Sequence, residues 1–464
     1  MRSLAILSTA LFVGAILAGC SGSTPAPTTT TQPPVQRGIP AMTFAKPVTV
    51  DGARIASEPS IKVAKDGTIF VTAPTGTVKY ATRPFDLPVM AGKGAFQSAI
   101  WSSRDNGTTW AFADTLGVLP YHSALPGGGD ADLAIDAAGT IFMADQEGLA
   151  NEAVSTSHDN GATWEAAGPL GSGVPDTDRM WLWPDPTTPG TVYMNYDMNG
   201  RQINVAKTTD DGKTWTAVFT PAASTAPGPI VATNQTVAFS YNNGAALEFV
   251  HSEDKGLTWK QDDLKDNGTA IQSGAIDLFP QTFADTKGTL YIAWLEAGTT
   301  ANGTKGNAVA YIFSHDAGKT WSPKTVAFTL PGAAIFLWGT AGSSGRIGFS
   351  WYEAPKPAGA YYIHAGIVID ADTDEPMMVD ARVQTMPARP DPPCTNGVGC
   401  TSGRELGDFQ QCAITPDGTL VVSYVVVSGL NEAGQPNGGH ITFARLAEGP
   451  KLLDGTDTFT PWRV

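Results

Sequence analysis

Basic residues, histidine, cysteine and long apolar runs are all scarce in this chain. Lys and Arg number 29 against 44 Asp and Glu, a formal net charge of −15, which excludes a nucleic-acid backbone as partner. Six His and four Cys are scattered without metal-ligand spacing, so zinc chemistry has no support. No Gly-x-Ser-x-Gly elbow is present, and the Gly-Lys-Thr triplets at 212–214 and 318–320 lack the upstream Gly of a phosphate loop. Charged residues make only 16% of the chain while 42% is apolar, which excludes a disordered polyelectrolyte. What is abundant is Gly (51) and Pro (34), spread along the whole length, and this excludes a coiled coil and argues against a helical bundle.

The one sustained apolar run, Leu4 to Leu17, follows Arg2 and is too short for a mature membrane span. It ends in Leu17-Ala18-Gly19-Cys20, which resembles the bacterial lipobox, where the Cys is acylated and becomes the mature N-terminus. Residues 1–19 are therefore expected to be a lipoprotein signal peptide, 20–40 a Pro/Thr-rich tether, and 41–464 a single domain. The expected location is the bacterial cell envelope, exported and held to a membrane through Cys20. Export permits disulfides, and the short Gly-rich loop between Cys394 and Cys400 suits one. Cys412, in an alternating apolar run, reads as a buried free thiol.

One pattern recurs five times, at Ser103–Trp110, Ser157–Trp164, Thr208–Trp215, Ser252–Trp259 and Ser314–Trp321. Its form is Ser/Thr-x-Asp-x-Gly-x-Thr-Trp, and a period near fifty residues means an array of similar units. Asp and Ser/Thr would satisfy the amides of a hairpin turn, Gly would take positive φ, and Trp would wedge between neighbouring units. A second repeat, an apolar run then a Gly-centred turn then a β-rich run, starts at Pro59, Asp132, Trp181, Ile230, Leu278, Ala334 and Phe409. Each copy reads as two antiparallel strands, and the box hairpin adds two more. The fold class is all-β: a β-propeller of seven four-stranded blades, with six and an irregular closure as the alternative. The sixth unit carries Asp370-Ala-Asp-Thr-Asp374 in place of a box; it reads as a degenerate turn, with half a calcium loop as the competing reading. The seventh unit is completed by the strand around Thr43 to Val50.

The five boxes resemble the Asp-box (BNR) repeats of bacterial sialidases and related propellers, over about residues 54–427. The resemblance implies box hairpins on the face opposite the functional one. It also implies, for a sialidase, an arginine triad for the substrate carboxylate, a Tyr nucleophile activated by Glu, and an Asp acid/base. Arg54 stands where the first arginine belongs, but the aromatic and Pro around it are missing. Arg179 and Arg404 fall at strand starts near the axis and would complete a clamp, Tyr352 with Glu296 would form the nucleophile pair, and Asp130 would serve as the acid. Arg201, Asp178, Asp197 and Asp408 join them as ligand-binding candidates. The inner strand ends also carry Glu58, Asp132, Asp145, Glu147 and Asp277, so the axis is an acidic funnel.

Two functions follow. One is a non-catalytic, lipid-anchored propeller binding a glycan or other polar ligand in the funnel without cofactor. The alternative is an exo-α-sialidase. Acids outnumber arginines around the axis, which favours the first. For the anchor, Cys20→Ala is expected to move the protein from the membrane to the soluble fraction with its fold unchanged, as read by detergent partitioning; equal membrane retention would exclude acylation at Cys20.

Overall fold

The structure is a computed structural model that describes residues 38–74, 98–113, 129–147, 151–170, 177–198, 202–219, 226–272, 278–356, 359–427 and 438–456. Seven antiparallel sheets, six of four strands and one of five, account for nearly all of the regular structure of these residues; their strands are lettered A to D from the inside outward, and in the five-stranded sheet two short strands share the D position. Their innermost strands are Ser60–Val63, Ala131–Ile135, Thr177–Pro184, Val231–Ala232, Gln281–Ala284, Ala333–Ala341 and Gln411–Ile414, belonging to blades 1 to 7. Each A strand contacts the A strand of the next blade, and that of blade 7 contacts that of blade 1. The ring is closed, and the propeller has seven blades.

Blade 7 is the joint. Its A, B and C strands come from the C-terminal end, but its outer strand is Thr43–Phe44 with Val48–Thr49, both paired to Gly439–Glu448. This seals an edge that would otherwise offer unpaired amides and carbonyls. Polar side chains tie neighbouring A strands together below the axis mouth. Gln411 of blade 7 accepts from Ser60 (2.9 Å) and Lys62 (2.8 Å) of blade 1. Asp132 of blade 2 accepts from Lys62 at 3.1 Å and from the Leu182 amide of blade 3 at 2.9 Å. Fully satisfied, such a belt specifies which blade meets which, because slippage would leave buried polar groups unpaired.

The five boxes form the C–D turns of blades 1 to 5. In the first, Asp105 accepts from the Thr109 amide (2.9 Å) and Ser103 hydroxyl (2.8 Å), while the Gly107 amide donates to Ser103 Oγ (2.9 Å). The other four repeat these contacts. Asp370–Asp374 is the corresponding turn of blade 6, with Thr373 N donating to Asp370 O at 3.1 Å. Because strand direction alternates, the C–D turns share a face with the A–B turns, opposite the starts of the A strands.

The box tryptophans are half-buried rather than fully enclosed. Trp110 lies edge-on to Phe443 of blade 7 with ring centroids 5.3 Å apart, and Trp321 to Phe249 of blade 4 at 5.0 Å. The box glycines come closest to the preceding blade. A Cβ on Gly107 would enter the Phe443 ring, on Gly161 the Phe70 ring and on Gly318 the Phe249 ring. Gly107 also has φ +83°, whereas Gly67, at φ +87° in an A–B turn, has nothing within 4 Å. Gly107→Ala is therefore expected to cost about 3 kcal/mol, combining overpacking with left-handed backbone, against about 1 kcal/mol for Gly67→Ala. Urea midpoints measure both; equal losses would mean that packing against Phe443 contributes nothing.

Candidate functional site

The axis is plugged by rings. Trp181 of blade 3 meets Trp338 of blade 6 at 5.1 Å, Phe279 ahead of blade 5 at 5.2 Å and Phe409 ahead of blade 7 at 4.9 Å. Strand A carries a β-bulge in blades 3 and 6, where the register slips between Asp178 and Trp181 and between Ile335 and Trp338. Arg179 and Phe336 sit in these bulges at φ +58° and +57°. The extra residue bends the strand and re-aims its side chains. None of these rings was among the residues expected at the axis. Trp181, Phe279 and Phe409 follow Arg179, Asp277 and Asp408 by one or two residues in the sequence, but such a spacing reads equally as ordinary core, and Trp338 follows no polar strand start.

On this apolar floor stands a cluster of charges from blades 7, 1, 2 and 3. Glu58, at φ +53°, precedes the A strand of blade 1, and Asp130 precedes that of blade 2. Asp178 and Arg179 lie in the A strand of blade 3; Arg404 and Asp408 precede that of blade 7. Arg404 donates to both carboxylate oxygens of Asp408, with Nη2 to Oδ2 at 2.7 Å, and approaches Glu58 Oε1 at 3.4 Å. The Asp408 amide donates to the same Glu58 oxygen at 2.8 Å. Arg179 lies 3.7 Å from Asp178 and 3.9 Å from Asp408, its guanidinium 5.6 Å from the centre of the Phe279 ring. Gln146 donates to Asp178 at 3.2 Å.

Glu58, Asp130 and Asp408 are buried, while the side chains of Asp178, Arg404 and Arg179 keep 33%, 24% and 17% exposure and form the outer rim. Burial pushes the Glu58 carboxyl up to about 7; Arg404 opposes this, and the charges of Asp408 and Asp178 add to it. Asp130 is pushed well above the carboxylate range by burial and then by Glu58 and Asp178. Asp178 is raised by burial, against the pull of Arg179. Burial works against the charge of Arg179 and Arg404, but the surrounding carboxylates outweigh it and hold both protonated.

Asp197 ends strand B of blade 3 directly opposite Asp178, buried and close enough to act on Arg179. The remaining candidates lie elsewhere. Arg54 is drawn to the outer strands of blade 1: it pairs with Asp51 at 2.6 Å and its guanidinium lies 3.7 Å above the Phe112 ring. Asp51 fixes it there by also accepting from the Ala53 amide and from Trp101 Nε1. Tyr352 is fully buried between blades 6 and 7, its hydroxyl accepting from Val425 N at 2.9 Å and donating to Val425 O at 3.3 Å; burial pushes its pKa up. Glu296 accepts from Trp294 Nε1 at 3.0 Å and pairs with Lys324 at 2.9 Å, so it does not face Tyr352. Arg201, Asp277 and Cys20 lie outside the described residues.

Arg404 reaches the axis on a long connection, residues 383–410, between blades 6 and 7. Within it Cys394 and Cys400 are disulfide-bonded, and Arg389, buried, is paired with Glu405 and with Asp391 at 3.0 Å. Cys412 is a buried free thiol. Among the described residues no group of three or more His, Cys, Asp or Glu is arranged to hold a metal ion, the Asp370–Asp374 turn included.

The fold and its turns define a seven-bladed Asp-box β-propeller with a charged axial mouth. The family model described as BNR/Asp-box repeat matches residues 312–323, within the fifth box unit. No curated protein matches the chain. Among solved structures it is similar to a protein of unknown function from Dyadobacter fermentans, at 18% identity and TM-score 0.45, covering 88% of this chain and 99% of that one. It is also similar to a Penicillium chrysogenum α-L-arabinanase (14%, TM-score 0.41, 86% and 98% covered) and to the NanB sialidase of Streptococcus pneumoniae (14%, TM-score 0.38, 88% and 70% covered).

The raised carboxyl of Glu58 has a consequence for stability. Glu58 holds its proton more tightly folded than at the ordinary 4.5 of an unfolded chain, so its contribution falls as pH rises from about 4.5 through about 7 and is level above. Glu58→Gln is expected to flatten the decline of the melting temperature across that window. Parallel wild-type and variant curves would show that Glu58 titrates normally.

Proposed function

We propose that this propeller binds a glycan or another polar ligand at its axial mouth without hydrolysing it, and that Cys20 anchors it to a membrane of the cell envelope. The observation that carries this reading is the state of the groups a sialidase would need. Among the described residues both guanidiniums of the axial cluster, Arg179 and Arg404, are already paired with carboxylates, Arg54 is held at the rim of blade 1, and the Tyr352 hydroxyl is committed to the backbone of Val425. A carboxylate substrate would have to displace internal carboxylates from both arginines, and the candidate phenol, Tyr352, is not free to attack an anomeric carbon. What the mouth offers instead is a set of fixed donors and acceptors over an apolar floor, which suits hydroxyl recognition.

Incubation with a fluorogenic sialoside is expected to give no turnover above buffer. On a glycan array Arg404→Ala is expected to weaken binding by roughly tenfold or more, the scale of one charged hydrogen-bonding group lost. Tyr352→Phe is expected to leave binding unchanged. Robust turnover that disappears in both Tyr352→Phe and Arg404→Ala would establish the sialidase instead.

A further inference from the structure

The boundary between blades 2 and 3 changes character along its height. Most of it is apolar: Phe142, Ala144 and Val154 of blade 2 pack with Met180, Leu182 and Met194 of blade 3. Side chains alternate along a strand, so the same two faces continue to the end where the A strands start. Gln146, two residues beyond Ala144, and Glu152, two before Val154, therefore face blade 3, and they stand opposite one another in register. From the other wall Tyr196, two residues beyond Met194, and its register partner Asn204 face blade 2. Thr177 shares that face, opposite Met198. Gln146 joins the two walls by donating from Nε2 to the Thr177 carbonyl.

These polar side chains are enclosed without all being matched. Thr177 is 1% exposed and Asn204 4%, yet Thr177 Oγ1 and Asn204 Oδ1 have no hydrogen-bond partner among the described residues. The Asn204 amide donates to Met198 Sδ at 3.2 Å, and turning it over would leave its nitrogen unmatched instead. A buried polar atom without a partner costs stability and calls for a reason. Across other blade boundaries such groups bond directly, Ser240 with Thr282 at 2.7 Å and Ser350 with Gln410 at 2.8 Å. Burial raises the pKa of Tyr196, opposed by Asn204 and assisted by the Glu152 charge, so the phenol keeps its proton and can donate.

We propose that this polar end of the blade 2–3 boundary is a subsite of the axial mouth that takes the hydroxyl groups of an uncharged sugar. This rests on the reading of the mouth as a ligand site and adds the ligand class and the residues that select it. The two places are contiguous: the Gln146 nitrogen that reaches Thr177 also donates to Asp178, on the rim of the mouth, at 3.2 Å. Met198, half-buried at the end of its strand and bonded to Asn204, is the side chain that must yield, and a thioether changes rotamer readily. A sugar hydroxyl donates one proton and accepts two bonds. A neighbouring pair of them can donate to Asn204 Oδ1 and accept from the Thr177 and Tyr196 hydroxyls. A sugar carboxylate would instead bring a negative charge beside the buried Glu152 and close to Asp178, without a cation to meet it on this wall.

The test is a glycan array carrying matched pairs, glucosyl with glucuronosyl and galactosyl with galacturonosyl termini, which differ only by hydroxymethyl against carboxylate. A hexosyl member is expected to bind at least roughly tenfold tighter than its hexuronosyl twin. Thr177→Val keeps the shape and removes the hydroxyl. It is expected to weaken the tightest hexosyl binder by roughly tenfold while raising the melting temperature by about 1 °C, because an unmatched buried hydroxyl is gone. Thr177→Ser is expected to keep wild-type affinity. Asn204→Leu is expected to act as Thr177→Val does, and stands in for it should that variant fail to fold. A lowered melting temperature in both would show that the two atoms serve the fold, and overturns the proposal. Hexuronosyl binding as tight as hexosyl, or no binding by any member, also overturns it. Binding that depends on Arg404 but not on Thr177 or Asn204 removes the subsite and keeps the mouth. Dependence on Thr177 and Asn204 but not on Arg404 keeps the site at this boundary and removes the mouth.

Discussion

The structure depends on one pairing made between the two ends of the chain. Thr43–Phe44 and Val48–Thr49 complete blade 7 by bonding to the strand Gly439–Glu448, near the opposite terminus. A four-stranded blade has two apolar faces and cannot cover either alone, so each needs a neighbour on both sides. Until blade 7 is complete the array is an open solenoid with an unpaired edge. Once it is complete, blade 7 meets blade 1, and only then do Arg404, Asp408 and Glu58 share one site.

Closure also creates the axis, and the axis must be filled. Trp181, Phe279, Trp338 and Phe409 fill it from blades 3, 5, 6 and 7, helped by bulges that turn strand A in two of them. A wall of rings below the charges lowers the local dielectric, which explains why burial is the largest influence on Glu58, Asp130 and Asp178 together. The cluster gathers like charges and left-handed backbone in one place, features a purely structural core would avoid.

The repeats explain regularity; the departures from them explain specificity. The connection at 383–410 is far longer than the other links between consecutive blades that the structure describes, and it is fastened by a disulfide and by the buried Arg389–Glu405 pair. Its far end is the segment that presents Arg404 and Asp408. Removing one partner of a buried ion pair leaves the other charge uncompensated, which ties the position of Arg404 to the integrity of that loop.

Much of this was legible in the residues alone. The five boxes and the seven hairpins, six of them Gly-centred, located the strands and turns and favoured seven blades over six, because Asp, Gly and Thr at fixed offsets are requirements of a local turn. The convergence of Glu58, Asp130, Asp178, Arg179, Arg404 and Asp408 on one mouth also followed from strand order. What tertiary structure decided was pairing. Arg54 has the right neighbour in Ile55 for an axial arginine, yet Asp51, three residues before it, and the distant Phe112 hold it at the rim. Tyr352 and Glu296 sit at equivalent strand ends, yet one bonds to the backbone of the next blade and the other to Lys324 in its own. A turn is specified within a few residues by backbone geometry, so the sequence determines it. A side chain's partner depends on which surfaces closure brings within about 3 Å, a distance that only the assembled ring defines.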